Sequence, residues 1–233
     1  MKTLKTPATW IGVILVVFIA LSCATVNNLA YYDLTGATMA LDMLTPPEPT
    51  VDVDYSMPSY GDDYVMAFLQ ISANLVKAGG AEIARGKLVQ ALSRTDIPGM
   101  ISYRLLKDTA QTLDTYIVDR TREADVILEL EIVDYGIEAS SGNGEVTMGI
   151  KINACLFHQG DKDIIWQRRI SVSEEITPGF FGYNEILGNV VTIGSLSTLS
   201  EEQLAEGFER MAFEITGKTV RKLQEDLREA RRI

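Results

Sequence analysis

The sequence is poor in the side chains from which most enzyme sites are built. It contains one histidine, His158, and two cysteines, Cys23 and Cys155, in 233 residues. A single histidine cannot form a multi-histidine metal site, and the two cysteines do not have zinc-binding spacing. The chain also lacks a G-x-S-x-G nucleophile elbow, a phosphate-binding loop and a dinucleotide-binding fingerprint. We therefore predict a non-enzymatic protein without metal or cofactor, and we assign no catalytic residue.

The first 22 residues have the composition of a signal peptide. Lys2 and Lys5 precede Trp10–Leu21, a run of twelve residues without a polar side chain. That run is shorter than the about 20 apolar residues with which a helix crosses a bilayer. No charge appears between Thr6 and Tyr32, however, so an uncleaved membrane anchor is the alternative.

The segment Ala20-Leu21-Ser22-Cys23 resembles the lipobox of bacterial lipoprotein signal peptides, although Leu is more usual than Ala20 at its position. In that family the cysteine thiol receives a diacylglyceryl group and the chain is cut just before it. The resemblance implies that residues 1–22 are a signal peptide and that Cys23 is the lipid attachment site. N-terminal acyl chains, palmitate among them, would then hold the protein on the membrane. Since Ala24 and not Asp follows the cysteine, the resemblance implies the outer membrane, facing the periplasm, in a Gram-negative host.

Acidic side chains outnumber basic ones, and cleavage would increase the excess. Removing 22 of 233 residues leaves 211, and removing Lys2 and Lys5 leaves 19 of the 21 basic residues against 32 acidic ones, a net charge of −13. A domain of this charge repels nucleic acid and anionic lipid headgroups. We therefore expect no nucleic-acid partner.

Residues 23–61 are predicted to form a lipidated N-terminus and a proline-rich tether, followed by a globular domain over residues 62–233. Prolines at 46, 47, 49 and 58 favour extended chain and exclude helix. Val51 and Val53 alternate with Asp52 and Asp54, so this segment has the pattern of an edge strand as well.

The predicted globular domain is an α+β two-layer fold. Apolar residues at three- and four-residue steps predict helices over 62–93, about 101–120 and about 200–231, the last beginning with a Ser200–Gln203 capping box. Alternating apolar residues predict strands joined by short polar turns. These patterns favour a three- to four-stranded antiparallel sheet with amphipathic helices packed on one face. The residues predicted to face those helices are Val126, Leu128, Leu130 and Ile132, then Val146, Met148, Ile150 and Ile152, then Ile164, Trp166, Ile170 and Val172.

Charged residues are predicted on the other face of the sheet. Glu129 and Glu131 on the first of these strands are predicted to lie on the same side as Lys151 on the second and Arg169 on the third. Pairing of opposite charges across the strands then explains these charged residues without a ligand. The same two glutamates are the best-placed carboxylates for acid–base chemistry. Cys155 is expected on this face as an incidental thiol.

Residues 176–199 form an unusual segment with a single charge, Glu185, and three clustered aromatic residues, Phe180, Phe181 and Tyr183. A disordered segment of this length would be more polar. One interpretation is an apolar crossover packed beneath the last helix. The other is an exposed tip at which Phe180, Phe181 and Tyr183 contact a partner or a membrane.

The run ADVILELEI, the following hairpin and the strand that carries Trp166 resemble small bacterial envelope lipoproteins that assist transport or assembly machines. The resemblance implies a non-enzymatic accessory or scaffold function with an envelope protein as partner. Two other hypotheses stay open. The protein binds an apolar ligand such as lipid in the sheet–helix cleft or at residues 176–199, or it is an envelope hydrolase that uses Glu129 or Glu131.

Overall fold

The fold is α+β, with helices on one face of a mixed sheet. A computed structural model describes residues 25–48, 50–53, 86, 90–91, 95–139, 146–175 and 200–232. Within these ranges a seven-stranded sheet packs against two long helices, α1 (Ile97–Leu113) and α2 (Glu201–Ala230). Gly86, Gln90 and Ala91 are helical too, but most of the helix predicted over 62–93 lies outside the described residues.

The three long strands form the predicted antiparallel meander. They are β5 (Val126–Ala139), β6 (Val146–His158) and β7 (Ile164–Glu175). The predicted inward residues of β5 and β6 are buried wherever their side chains are described. On β7 the prediction for Ile164 is wrong, because a register shift between Leu156 and Phe157 of β6 leaves Ile164 39% exposed and buries Ile165.

The expected number and direction of the strands are wrong, because short strands before β5 extend the sheet. They are β1 (Val26–Asn27), β2 (Thr38–Met43), β3 (Thr50–Val53) and β4 (Tyr116–Ile117). The order is β1-β7-β6-β5-β2-β4, with β3 also paired to β5. β2 and β3 run parallel to β5, and β4 runs parallel to β2. Three of these strands come from the segment 23–61, for which the sequence predicted a tether, although the edge-strand pattern at residues 51–53 does correspond to β3.

The parallel pairing follows from burial and from the position of α1. Met39 and Ala40 are both fully buried on opposite faces of β2, as is typical of a parallel strand inside a sheet. Parallel neighbours need a crossover connection, and α1 lies in the chain between β2 and β4. Pro46 and Pro47 lie in the connection between β2 and β3, outside the hydrogen-bonded ladders. This position suits proline, because it has no backbone N–H to donate to a neighbouring strand.

Each helix begins at a side-chain cap. The Asp96 carboxylate accepts a hydrogen bond from the Gly99 amide at the start of α1, and Ser200 and Gln203 form the predicted capping box at the start of α2. α1 ends at Leu113 and not near 120, because Asp114 adopts a left-handed conformation with φ of 56°. Neither described helix is long and apolar enough to cross a membrane.

The two faces of the sheet are covered to different extents by other parts of the protein. The main core lies between the sheet and the helices and includes Trp166 and Phe208, both at most 1% exposed. A small second cluster of Ala40, Ala124 and Ile127 lies on the other face, with Val118 and Phe157 packed against it. Beyond this cluster, polar side chains occupy that face, as the alternation predicted.

The pairing of β3 with β5 depends on a glycine. A methyl group built at Gly136 would overlap the carbonyl oxygen of Thr50, whereas one at Gly149 of β6 would meet its nearest atom, the Val172 carbonyl oxygen, at an ordinary 3.5 Å. We expect Gly136→Ala to lower the free energy of unfolding by about 1–3 kcal/mol. We expect the control Gly149→Ala to be neutral or slightly stabilising. Urea denaturation measures both, and equal effects would contradict the proposed clash.

Candidate functional site

The residues that the sequence proposed as contact sites lie outside the described ranges. They are the lipid attachment site Cys23 and the aromatic residues Phe180, Phe181 and Tyr183. The nearest described residues in the sequence are Thr25, directly before β1, Glu175, the last residue of β7, and Ser200, the N-cap of α2.

A buried ionic cluster joins α2 to β7 close to the N-terminal strand. Asp226 of α2 is 1% exposed, and its carboxylate accepts a hydrogen bond from the Trp166 indole nitrogen at 2.8 Å. The same carboxylate oxygen, Oδ2, lies 2.7 Å from an Arg168 guanidinium nitrogen, and Oδ1 lies 3.4 Å from Lys222 Nζ. Both oxygens of a buried carboxylate are thus satisfied, which is the condition under which a buried ion pair persists.

The cluster keeps Asp226 charged. Burial acts to raise the pKa of Asp226, but hydrogen bonds from Arg168 and Trp166, together with the charges of Arg168 and Lys222, outweigh it and hold the pKa below its usual range. The Lys222 pKa is raised, first by its hydrogen bond to Glu225 and then by the charge of Asp226. Asp226 and Lys222 therefore each stabilise the charged form of the other.

The same cluster holds the N-terminal strand in place. The Asn27 side-chain amide donates to the Asp226 backbone carbonyl at 3.1 Å, and Arg168 Nη1 donates to the Val26 carbonyl at 3.3 Å. The Asn28 amide donates to the Ile165 carbonyl at 2.8 Å and extends the pairing of β1 with β7. The chain that emerges from residue 25 is therefore fixed to both β7 and α2.

Sequence reasoning missed this cluster, although the sequence contains its signal. Asp226 lies three residues after Leu223 on the apolar stripe of α2, and Arg168 alternates in phase with Trp166 and Ile170 on β7. A lone acid on one buried face and a lone base on another indicate a pair, because a single buried charge is costly.

The other face of the sheet carries a cross-strand chain of polar side chains. Asn153 donates to the Glu131 carboxylate, and its own carbonyl oxygen accepts from Arg169 Nε at 3.2 Å, so one amide links the acid of β5 to the base of β7. Lys151 lies in register with Asp134 and not with the two glutamates. Glu131 and Arg169 are thus linked through the neutral Asn153 and not as a direct charge pair, which the sequence did not predict.

Glu129 and Cys155 are in register on this face of the sheet. Burial, followed by the charges of Asp42 and Glu131, raises the pKa of Glu129. Burial, followed by the charge of Glu129, raises the pKa of the Cys155 thiol to about 11. Because the thiolate is the nucleophilic form, Cys155 is protonated and unreactive near neutral pH.

Three open surface grooves are lined by described residues. One crosses the sheet over Thr50, Gly136, Gly149 and Ser173, with a cavity volume of about 200 Å³. A second, of about 460 Å³, lies between Tyr31 and the end of α2. The third, of about 360 Å³, follows β7 beside α2. Neither Glu129 nor Glu131 lines any of the three, and none of the three is an enclosed apolar pocket.

Charged side chains dominate the third groove. Its lining includes Arg169 of β7 and Lys218, Arg221 and Lys222 of α2, with Glu225 as the one acid. Lys218 Nζ donates to the Ser171 backbone carbonyl at 2.7 Å. We call this site the basic groove. It begins at Arg168, directly after the β7 residues Trp166 and Gln167 that pair with β1.

No protein-family model matches the sequence, and no curated protein matches it. Among solved structures, the chain is similar to XCC0632 of Xanthomonas campestris, a DUF330 protein, with 12% identity and a TM-score of 0.41 over 91% of this chain and 96% of that one. It is also similar to the lipoprotein GNA1162 of Neisseria meningitidis, with 11% identity and a TM-score of 0.24 over 60% of this chain and 83% of that one. The structural neighbours thus include a lipoprotein, and these values assign no family to the chain.

The charge of Asp226 can be removed without changing the size of its side chain. We expect Asp226→Asn to lower the free energy of unfolding at pH 7 by about 3–5 kcal/mol, because Arg168 is left buried without its counterion. The matched control is Glu225→Gln, which removes an exposed partner of the same Lys222 and should cost less than about 1 kcal/mol. Urea denaturation measures both, and similar costs would show that the buried pair contributes little.

The same variant makes a prediction about pH. Because the folded-state pKa of Asp226 is lowered, its stabilising contribution is complete above the unfolded-state pKa and is lost as the pH falls through the folded-state pKa. Between about pH 5 and about pH 2, the parent protein should therefore lose more stability than Asp226→Asn does.

Proposed function

We propose that this protein is a membrane-tethered envelope lipoprotein that acts as a non-enzymatic accessory or scaffold for a transport or assembly system. The lipid is attached at Cys23 after removal of residues 1–22, and the outer membrane is the destination in a Gram-negative host. The partner is an envelope protein.

The observation that carries this proposal is the position of the first described strand in the sequence. The lipobox-like segment ends at Cys23, and the first strand of the sheet begins at Val26, three residues later. The predicted cleavage point therefore lies shortly before the first described strand.

The chemistry of the polar face supports a non-catalytic role. Glu131 is engaged by Asn153, the Cys155 thiol is held protonated, and Glu129 lies outside the three grooves. Glu131 is hydrogen-bonded across the strands to Asn153, and neither glutamate lines any of the three grooves of the described residues. We therefore do not favour the hydrolase hypothesis.

Lipid attachment is tested by replacing the cysteine. In a bacterial host that processes lipoproteins, the parent chain should incorporate labelled palmitate and lose 22 residues, whereas Cys23→Ala should lose the label and accumulate uncleaved. Cys155→Ala is the matched control and should be labelled and processed normally. Normal labelling and processing of Cys23→Ala would refute attachment at Cys23.

The accessory function is tested by photocrosslinking from position 181 in cells, followed by mass spectrometry of the adducts. The expected result is a defined adduct with an envelope protein. A crosslinker at Tyr103, an aromatic residue of α1 that is 71% exposed, serves as the control for random collisions. Lipid adducts alone, or adducts only within the same chain, would contradict a protein partner at this segment.

A further inference from the structure

We propose that the basic half of α2 lies against anionic lipid headgroups around the Cys23 anchor. The inference rests on the lipid attachment proposed above and adds a second membrane contact, made by the folded body itself. The occupant of this surface is a bilayer that contains anionic phospholipid.

The first argument is the distribution of charge along α2. Residues 201–217 contain five acidic side chains and one basic one, whereas residues 218–232 contain six basic and three acidic ones, one of the three being the buried Asp226. The helical part of this stretch, residues 218–230, extends over about 20 Å. The net charge of the chain is negative, but this half of α2 carries a net positive charge.

Most of the basic residues also lie along one stripe, which contains one acid. At three- and four-residue steps the stripe consists of Lys218, Lys222, the acid Glu225, Arg228 and, just past the helix end, Arg232. Arg221 lies beside this stripe. Arg221 and Arg232 are exposed, and neither forms an ion pair with a carboxylate of the described residues. Their charges are thus available to an anionic surface.

The second argument is the short distance from the anchor. Val26 follows Cys23 by three residues, and three extended residue steps span at most about 11 Å. Val26 pairs with Gln167, directly before the basic groove, and Asn27 donates to the carbonyl of Asp226 in the basic half of α2. A lipid chain on Cys23 therefore brings the bilayer surface close to this half of the helix.

An exposed aromatic side chain adds to the same surface. Tyr31 is 84% exposed and lines a groove with Ala230 and Arg231 at the end of α2. Tyrosine is enriched at the level of lipid headgroups, where its ring is partly buried and its hydroxyl stays hydrated. An exposed tyrosine five residues after Val26 is well placed for this role.

Two simpler explanations account for only part of the pattern. Favourable interaction with the helix dipole extends over the last turn, so it explains Arg231 and Arg232 but not Lys218 or Arg221. Protection of the β7 edge explains Lys218, which caps the Ser171 carbonyl. Neither explains the exposed Arg221.

The test uses the mature chain beginning at Cys23, with Cys155→Ser, and a single alkyl chain coupled to the Cys23 thiol through maleimide. A single chain binds bilayers only reversibly, so an additional contact is measurable. The probes are vesicles of phosphatidylcholine alone and vesicles with about one-third phosphatidylglycerol. We expect at least tenfold stronger partitioning into the anionic vesicles in about 0.1 M salt, and loss of this preference in about 0.5 M salt.

The variant Arg221→Gln/Arg232→Gln should reduce the anionic preference at least fivefold, since each basic side chain near such a surface contributes about 1 kcal/mol, or about a fivefold effect. The control Lys151→Gln/Arg210→Gln changes the net charge by the same amount and should keep the preference. Lys151 lies on β6, on the face of the sheet opposite the helices, and Arg210 lies in the acidic half of α2. Circular dichroism confirms that both are folded. A third variant, Tyr31→Ser, should weaken partitioning into both vesicle types.

Equal partitioning into the two vesicle types, or equal losses in the variant and its control, would overturn the inference. The coupling to Cys23 is chemical, so this result does not depend on processing in cells. If Cys23 carries no acyl label in cells, the proposed function is overturned. The vesicle result would then describe the surface of α2 without a natural anchor beside it.

Discussion

The arrangement of the N-terminal strand, β7 and α2 depends on the buried carboxylate of Asp226. Its side chain binds Trp166 and Arg168 of β7, and its backbone carbonyl binds Asn27 of β1. Burying a charge is costly unless its hydrogen-bonding capacity is met, and here both oxygens have partners. The pair also has a geometric consequence, because Arg168 reaches the Val26 carbonyl and so fixes where the chain enters the sheet.

Local patterns were sufficient to predict the parts of the fold that local chemistry specifies. Alternation of apolar and polar residues identified β5, β6 and most of β7, and the Ser200–Gln203 capping box identified the start of α2. The outward positions of Glu131, Cys155 and Arg169 followed from the same alternation. The error at Ile164 arose because a single register shift reverses the side that each residue faces.

Long-range pairing could not be predicted in this way. β2 is six residues long and buried on both faces, so it shows no alternation, and the nearby prolines favoured a tether. Its pairing with β5 joins residues almost 90 positions apart, for example Met39 and Val126. Asp226 was missed for a similar reason, since its partner Arg168 lies on another element. Cys23, Phe180, Phe181 and Tyr183 lie outside the described residues and stay predictions.

The change from a tether to a strand alters what an anchor at Cys23 would do. With a flexible segment of residues 23–61, the body would be free to sample distances much larger than the Debye length of about 8 Å, and its charge distribution would hardly matter to its position. With the sheet beginning at Val26, an anchor at Cys23 would hold the start of β1 within about 11 Å of the lipidated residue, where the charge distribution would govern orientation. The net charge alone predicted repulsion from anionic lipid. In the proposed arrangement, the basic half of α2 would reverse the sign of that interaction on the side next to Val26, so that attraction and repulsion on different sides of the body would together favour one orientation at the bilayer.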